Sequence, residues 1–185
     1  IRGGVRPNLF SVTHGWPGGV TAPVIRGADS DPVQFMCKSA ALPATNVGTV
    51  ELPFRGRVVK VPGDRTYETW TGTFYNDDAF KMRAAYEKWI SLTNAVDANL
   101  AEADIAATFQ KITVSQLDKF SSADALKVIR SYDLIGAWPV SVSQISVAYD
   151  NNDSYEEFDV EFAYQYHVTK DGDGTNLVSA ETDPG

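Results

Sequence analysis

The chain has 185 residues and carries 24 acidic and 16 basic side chains, which gives a formal net charge of −8. This acidic balance argues against general nucleic-acid binding, which depends on a positively charged surface. The single cysteine, Cys37, excludes an intrachain disulfide. No apolar run approaches the roughly 20 residues of a membrane helix, and we expect neither a membrane anchor nor a signal peptide. Residues 1–168 are predicted to form one domain.

Strands and loops are predicted for the first third of the chain. Residues 6–13 favour a first strand, and residues 33–42 favour a second that ends before Pro43. Between them, residues 14–32 are rich in Gly and Pro, which is typical of a loop. A hairpin is predicted over residues 47–61, with Gly56 at its tip.

A strand and then a helix are predicted at the centre of the chain. Residues 67–75 alternate, so that Trp70 and Phe74 share one face of a strand. Asn76 is predicted to be the N-cap of a helix over residues 77–93, because Asp77 and Asp78 suit the positive end of the helix dipole. Spacing of three and four residues predicts a buried stripe. Its members are Ala79, Met82, Tyr86 and Trp89.

The second half of the chain is predicted to contain short helices and then strands. The helices are expected around residues 100–107 and 114–120. Three strands follow, over residues 126–137, 144–149 and 155–168, with Trp138-Pro139 closing the first of them and residues 150–153 forming a turn. With about six strands and one main helix, the chain is predicted to be mainly β: a two-sheet sandwich or barrel with the helix packed on it.

The last predicted strand has one apolar and one acidic face. The apolar face contains Phe158, Val160, Phe162, Tyr164, Tyr166 and Val168. Glu157, Asp159 and Glu161 lie side by side on the other face, which favours a solvated surface over a catalytic acid–base pair. Residues 169–185 are predicted to form a flexible tail.

Metal and catalytic sites are weakly indicated. The acidic run from Asp150 has Tyr155 where a calcium loop requires Gly, and the run from Asp171 has Thr182 where it requires Glu. The two histidines and Cys37 lack the spacing of a zinc site. We therefore expect no metal, no cofactor and no enzymatic activity.

The predicted hairpin is the strongest candidate for an interaction surface. It carries Val50, Leu52, Phe54, Arg55, Arg57, Val58, Val59, Lys60 and Val61. A projecting apolar hairpin is a liability in a monomer, so it either folds back on its own domain or pairs with another subunit. We favour pairing with another subunit.

Several segments, in order along the chain, resemble the tail-tube proteins of contractile-tailed bacteriophages. They cover roughly residues 6–168. They are Arg6-Pro-Asn-Leu-Phe10, Phe35-Met-Cys-Lys-Ser-Ala-Ala-Leu-Pro-Ala44, Val58-Val-Lys-Val-Pro-Gly-Asp-Arg-Thr-Tyr67 with Trp70, Asn76-Asp-Asp with Trp89, Gly136-Ala-Trp-Pro139, Asp150-Asn-Asn, and Phe158-Asp-Val-Glu-Phe-Ala-Tyr164.

This resemblance implies a structural subunit of the virion, assembled in the host cytoplasm. Hexameric rings would stack into a hollow conduit for DNA, which passes without specific binding, and residues 46–61 would form an arm to the next ring. The implied partners are further copies of the chain, a contractile sheath, a tape-measure protein, and baseplate and tail-terminator proteins. Inner tubes of type VI secretion and related contractile injection systems share this architecture and are the near alternative. A monomeric β-rich carbohydrate- or receptor-binding module is the alternative from a different class.

Two surfaces of the implied tube are assigned to residues of this chain. Glu157, Asp159 and Glu161 are the candidate lumen face, because an acidic wall would not capture DNA. Lys81 and Lys88, on the outer side of the predicted helix, are the candidate surface facing the sheath.

Overall fold

The computed structural model describes residues 5–24, 32–96, 100–101, 104–119, 127–150 and 154–177. Three helices and nine strands lie within these ranges. In chain order they are β1 (Phe10–His14), α1 (Pro32–Met36), β2 (Cys37–Ala40), β3 (Asn46–Phe54), β4 (Arg57–Thr66), β5 (Trp70–Tyr75), α2 (Lys81–Thr93), α3 (Ile105–Thr108), β6 (Gln110–Leu117), β7 (Val128–Val142), β8 (Glu157–Ala163) and β9 (Tyr166–Asp171).

Six of the strands form one antiparallel hydrogen-bonded path in the order β1-β6-β7-β8-β5-β2, and a seventh, β9, pairs with β7. The long strand β7 belongs to two sheets. Its first part pairs with β6 and β9, and its last part, Trp138–Val142, pairs with β8. Gly136 lies at the change of partner with φ 64°, and a Cβ there would come within 2.9 Å of Gln165 Cγ. Only glycine suits this bend. The prediction of a mainly β, two-sheet fold is confirmed.

The core lies between the two sheets and α2. Alternate residues of β5 and β8 point into it, as the period of two in a strand requires. From α2, side chains at helical spacing complete it. The fully buried large side chains include Phe74, Phe158, Phe162, Met82, Tyr86 and Trp89. The indole N–H of Trp89 donates to the Thr108 carbonyl at 2.9 Å, which ties α2 to α3.

The prediction of a strand over residues 33–42 was wrong for its first part. Residues Pro32–Met36 form α1, and only Cys37–Ala40 form β2. Proline fixes φ near the helical value and has no N–H to satisfy, so it suits the first position of a helix. Val33 and Met36, three residues apart, are both buried, which is a helical spacing.

The main helix begins at Lys81, later than predicted, and Asn76 is not its N-cap. The Asn76 amide instead donates to Glu156 at 2.9 Å. The Asp77 carboxylate accepts from the backbone N–H of Met82 at 3.0 Å, and so satisfies one free donor of the first turn from outside the helix. Ala79 therefore lies before the helix and is exposed.

The helix predicted around residues 114–120 was wrong, because residues up to Leu117 form strand β6. Ile112 and Val114 alternate into the core, and β6 is flanked by β1 and β7. The helix predicted around residues 100–107 is reduced to α3, whose N-cap Asp104 accepts from the N–H of Ala106. Residues 102–103 and 120 lie outside the described residues.

Strand β7 does not close at Trp138-Pro139 but continues to Val142. Its pairing with β6 ends at Ala137. No residue of β6 therefore requires a hydrogen bond from Pro139, which has no backbone N–H to donate. The strand predicted over 144–149 was wrong, since residues 143–148 form no regular element. Of the predicted turn over 150–153, residues 151–153 lie outside the described residues.

The last predicted strand is two strands, β8 and β9. The chain leaves the sheet of β8 at Tyr164 and joins the first part of β7 as β9, with the Gln165 N–H donating to the Ile135 carbonyl at 3.0 Å. The apolar face therefore ends at Tyr164, and Tyr166 is 42% exposed. Residues 169–171, predicted as tail, belong to β9, and residues 178–185 lie outside the described residues.

Candidate assembly surfaces

The hairpin of β3 and β4, residues Asn46–Thr66, is called the arm below. It forms its own two-stranded sheet, and every residue is exposed except Gly63, which is half-buried. The tip is a two-residue turn at Arg55 and Gly56, with φ of 45° and 77°. Two positive φ values are typical of the turn that best matches the twist of paired strands. The arm thus stands clear of the rest of the domain.

The register separates the arm into two different faces, because directly opposed residues of an antiparallel pair point to the same side. Val50 opposes Val61, and Leu52 opposes Val59. Together with Phe54 they form the apolar face of the arm, in which each side chain is between 38% and 60% exposed. Arg57, opposite Phe54, borders that face.

The mixed face of the arm lies on the opposite side. It contains the ion pair Glu51–Lys60, at 3.4 Å, and the opposed residues Pro53 and Val58. Of the residues assigned to the arm from sequence, Val58 and Lys60 therefore point away from the apolar face. An alternating pattern could have shown this once the two-residue turn fixed the register.

The base of the arm is anchored by polar contacts. The Asn46 amide donates to Glu68 at 3.0 Å, and the Thr45 hydroxyl contacts the His167 ring at 3.1 Å. Gly63 and Gly48 bring the two strands close together, and a Cβ at Gly63 would lie 3.3 Å from the Gly48 carbonyl. The base is thus fixed to the domain while the rest of the arm remains uncovered.

The acidic residues of β8 form a hydrogen-bonded row on the outer side of the sheet. Thr73 donates to Asp159 at 2.7 Å, and Thr69 donates to Glu161 at 2.5 Å. Ser141 reaches the other oxygen of Glu161 at 3.2 Å, and Lys38 pairs with Glu157. This set of three carboxylates with one cation is called the acidic ladder below.

The hydrogen bond and charge of Glu157 raise the pKa of Lys38, so that this lysine stays protonated at any physiological pH. It neutralises only one of the three carboxylates, and the acidic ladder remains net negative. The sequence prediction that these three acids share a solvated face agrees with their side-chain directions, because Phe158, Val160 and Phe162 alternate with them in the core.

Lys81 and Lys88 both lie on the exposed side of α2. The Lys81 ammonium donates to the Val24 carbonyl at 3.1 Å, so the loop before α1 borders this surface. Between that loop and α2 is a shallow depression of about 630 Å³, which both lysines line.

A further surface, missed from the sequence, lies where α2 begins. Phe35, Met36, Tyr75, Phe80 and Tyr155 line a groove of about 850 Å³, called the aromatic groove below. Phe80 immediately precedes α2 and has φ 55° and ψ 22°. Positive φ is rare for a bulky side chain, and the sequence carries no signal of it.

Two of the ionisable groups that the structure describes, His14 and Cys37, have pKa values shifted by burial. Burial lowers the pKa of His14 to about 4, while its hydrogen bond to the Gly15 carbonyl works in the opposite direction. Burial raises the pKa of Cys37 to about 12, which leaves it a thiol at neutral pH. Among the described residues, no group of three or more His, Cys, Asp or Glu side chains is placed to hold a metal ion. No helix in the described ranges is long and apolar enough to cross a membrane.

The fold is similar to that of proteins from contractile injection machines. The structure superposes on a chain of the sheath–tube complex of the extracellular contractile injection system PVC with a TM-score of 0.60, at 14% identity, covering 92% of this chain and 94% of that one. It also resembles an Hcp protein, with a TM-score of 0.51 at 11% identity, over 90% of this chain and 96% of that one.

The chain belongs to the phage tail tube protein family, whose model matches residues 5–170. It is 30% identical over 161 residues to the tail tube protein gp19 of Enterobacteria phage T4, covering 87% of this chain and 89% of that protein. The resemblance read from the sequence is confirmed. The likenesses to PVC and Hcp show a shared fold, whereas the sequence relationship is to a bacteriophage protein.

Proposed function

We propose that copies of this chain form hexameric rings, and that the rings stack into the hollow tube of a contractile tail through which DNA leaves the virion. The observation that carries this proposal is the uncovered arm in a member of the tail tube family. Exposing five apolar side chains to water on one face of an isolated hairpin costs free energy. Burial of that face against another copy removes this cost.

The acidic ladder is proposed to line or rim the bore. Its outward direction follows from the alternation of β8, whose other face is core. A negative wall repels phosphate at short range, so that DNA slides without capture, whereas a positive wall would bind it through counterion release.

The exposed side of α2, with Lys81 and Lys88, is proposed to face the contractile sheath. The fold likeness to a chain of a sheath–tube complex supports a sheath as a partner, and the two exposed lysines of α2 are our candidate contact. Baseplate and tail-terminator proteins are proposed partners at the two ends of the tube, and a tape-measure protein is the proposed content of the bore before DNA enters.

The proposal is tested by the assembly of purified protein with variants of the arm. We expect the unsubstituted chain to form rings and tubes in electron microscopy and sedimentation. Leu52→Asp with Val59→Asp places two charges on the apolar face, where they would be buried without partners, and should abolish stacking while the domain stays folded. Val58→Asp, on the mixed face, is the matched control and should leave stacking intact.

An unsubstituted chain that remains monomeric at high concentration would overturn the proposed function. Long tubes from the Leu52→Asp, Val59→Asp variant would overturn the role of the apolar face, because two unpaired charges could not be buried at the contact. Circular dichroism and thermal unfolding of both variants establish that the arm, and not the core, has been changed.

A further inference from the structure

The arm and the aromatic groove lie near opposite ends of strand β5. Residues 67–69 alone separate the arm from the first residue of β5, Trp70, whereas Tyr75, the last residue of β5, lines the groove. The register with the neighbouring strand β8 gives the same placement, because Trp70 pairs with Phe162 and Tyr75 pairs with Glu157 at the other end of β8. Six residues of strand span roughly 17 Å, at about 3.3 Å per residue. The two surfaces thus face opposite ends of the sheet.

The aromatic groove is an uncovered apolar surface. Phe35 is 59% exposed, Phe80 is 49% exposed and Tyr155 is 86% exposed. Phe80 is also held in the left-handed backbone region, which disfavours a bulky L side chain. Such residues persist where the surrounding structure fixes them, and they cluster at functional sites.

The charges of the two surfaces are complementary. The arm carries four basic residues, Arg55, Arg57, Lys60 and Arg65, and two acidic ones, Glu51 and Asp64. The groove is lined by Asp77, Asp78 and Glu156, and no Lys or Arg is among the lining residues that the structure describes. A net positive arm is unusual in a chain of net charge −8, and it matches the acidic border of the groove.

We propose that the aromatic groove of one copy receives the apolar face of the arm of a second copy, with Arg55 and Arg57 against Asp77 and Asp78. This inference rests on the proposed function and names the surface that the arm binds. Because the two surfaces differ and lie at opposite ends of the sheet, each contact leaves a free arm at one end and a free groove at the other. Such a head-to-tail contact repeats without closing, as the stacking of rings requires.

Cross-linking tests the contact directly. In a Cys37→Ser background, Arg57→Cys and Asp78→Cys are combined in one chain, which keeps the apolar side chains of both surfaces. After assembly, a short thiol-specific linker should produce a ladder of dimers, trimers and longer covalent chains on a denaturing gel. An equimolar mixture of the two single variants should stop at dimers. As a matched control, Arg57→Cys is paired with the exposed Asp173→Cys, beyond the end of β9, which should give no ladder.

A charge exchange tests the same contact without cross-linking. Arg57→Asp and Asp78→Arg should each raise the protein concentration needed for tube assembly by about fivefold or more, and the double variant should recover most of that loss, since coupled residues are non-additive. Tubes that form without an Arg57–Asp78 ladder, or single losses that simply add, would overturn the docking site while the proposed function stands. An unsubstituted chain that forms no tubes would overturn the proposed function itself.

Discussion

At the scale of single residues, His14 shows how this core handles an ionisable group. Its ring packs against Trp16 at 4.7 Å and Trp89 at 5.6 Å between centroids, and its Nε2 contacts the Tyr86 hydroxyl at 2.8 Å. Burial disfavours the charged imidazolium and lowers the pKa to about 4. The sequence places His14 only at the start of a loop, because its partner Tyr86 comes from a helix far along the chain.

This shift predicts a pH dependence of stability. The unfolded chain binds a proton at His14 below about pH 6.5, whereas the folded chain does so only below about pH 4. The contribution is therefore fully present above pH 6.5 and is lost as the pH falls toward 4. Between pH 7 and pH 5 the free energy of unfolding should fall by about 2 kcal/mol through this residue.

Chemical denaturation of the unassembled subunit at pH 7 and pH 5 measures this effect. His14→Gln is the matched control, since glutamine can hydrogen-bond to Tyr86 and does not titrate. Its stability should change much less over the same interval. An equal loss in His14→Gln and the unsubstituted chain would show that other groups cause the pH dependence.

At the scale of elements, the sequence predictions succeeded where an element has one apolar face. They failed where the secondary structure depends on the strands that lie beside the segment. The buried stripe of α2 was predictable from spacing, and Met82, Tyr86 and Trp89 are indeed fully buried. The polar composition of β6 hides its strand character, which comes from its position between β1 and β7. The break between β8 and β9 was not predictable, because alternation continues through Gln165 and the change of sheet depends on the bend in β7 at Gly136.

Among the candidate surfaces, the arm could be predicted because Gly56 and the flanking apolar residues signal a hairpin. The aromatic groove could not, because it is assembled from three separate parts of the chain around Phe35, Phe80 and Tyr155. Its formation depends on the unexpected helix α1 and on the late start of α2. Both depend on local backbone geometry that a periodic pattern does not contain.

The packing of α2 gives a prediction at this scale. Trp89→Ala removes a fully buried indole and its hydrogen bond to the Thr108 carbonyl, and should cost roughly 3–5 kcal/mol of unfolding free energy. Glu87→Gln alters only an exposed pair with Arg83, at 2.8 Å, and should cost less than about 1 kcal/mol. Denaturant unfolding of the subunit compares the two. A loss below about 1 kcal/mol for Trp89→Ala would contradict the packing described above.

At the scale of the whole molecule, charge is distributed unevenly. The arm is net basic, whereas the acidic ladder and the border of the aromatic groove are acidic. In a stacked tube, we expect the basic arms to pair with the acidic borders of the grooves, so that the acidic ladder, which takes no part in that contact, stays exposed and negative. A bore with this balance would not capture DNA phosphates.

Reversing the acidic ladder tests that expectation. Replacing Glu157, Asp159 and Glu161 together with lysine should slow the ejection of the genome from virions carrying the altered tube, because each new ammonium attracts phosphate. The delay should shrink as salt is added, since counterions screen the attraction. The subunit should still fold, because these side chains lie on the outer side of the sheet and not in the core.

The hydrogen bonds from Thr69, Thr73 and Ser141 are also altered by these replacements, so charge must be separated from local structure. The variant Glu157→Gln, Asp159→Asn, Glu161→Gln removes the charge, retains acceptors for those hydroxyls and is the matched control. Its ejection rate should lie close to that of the unsubstituted tube. If the lysine variant ejects its genome at the normal rate in low salt, the acidic ladder does not face the DNA, and the bore must be formed by another surface.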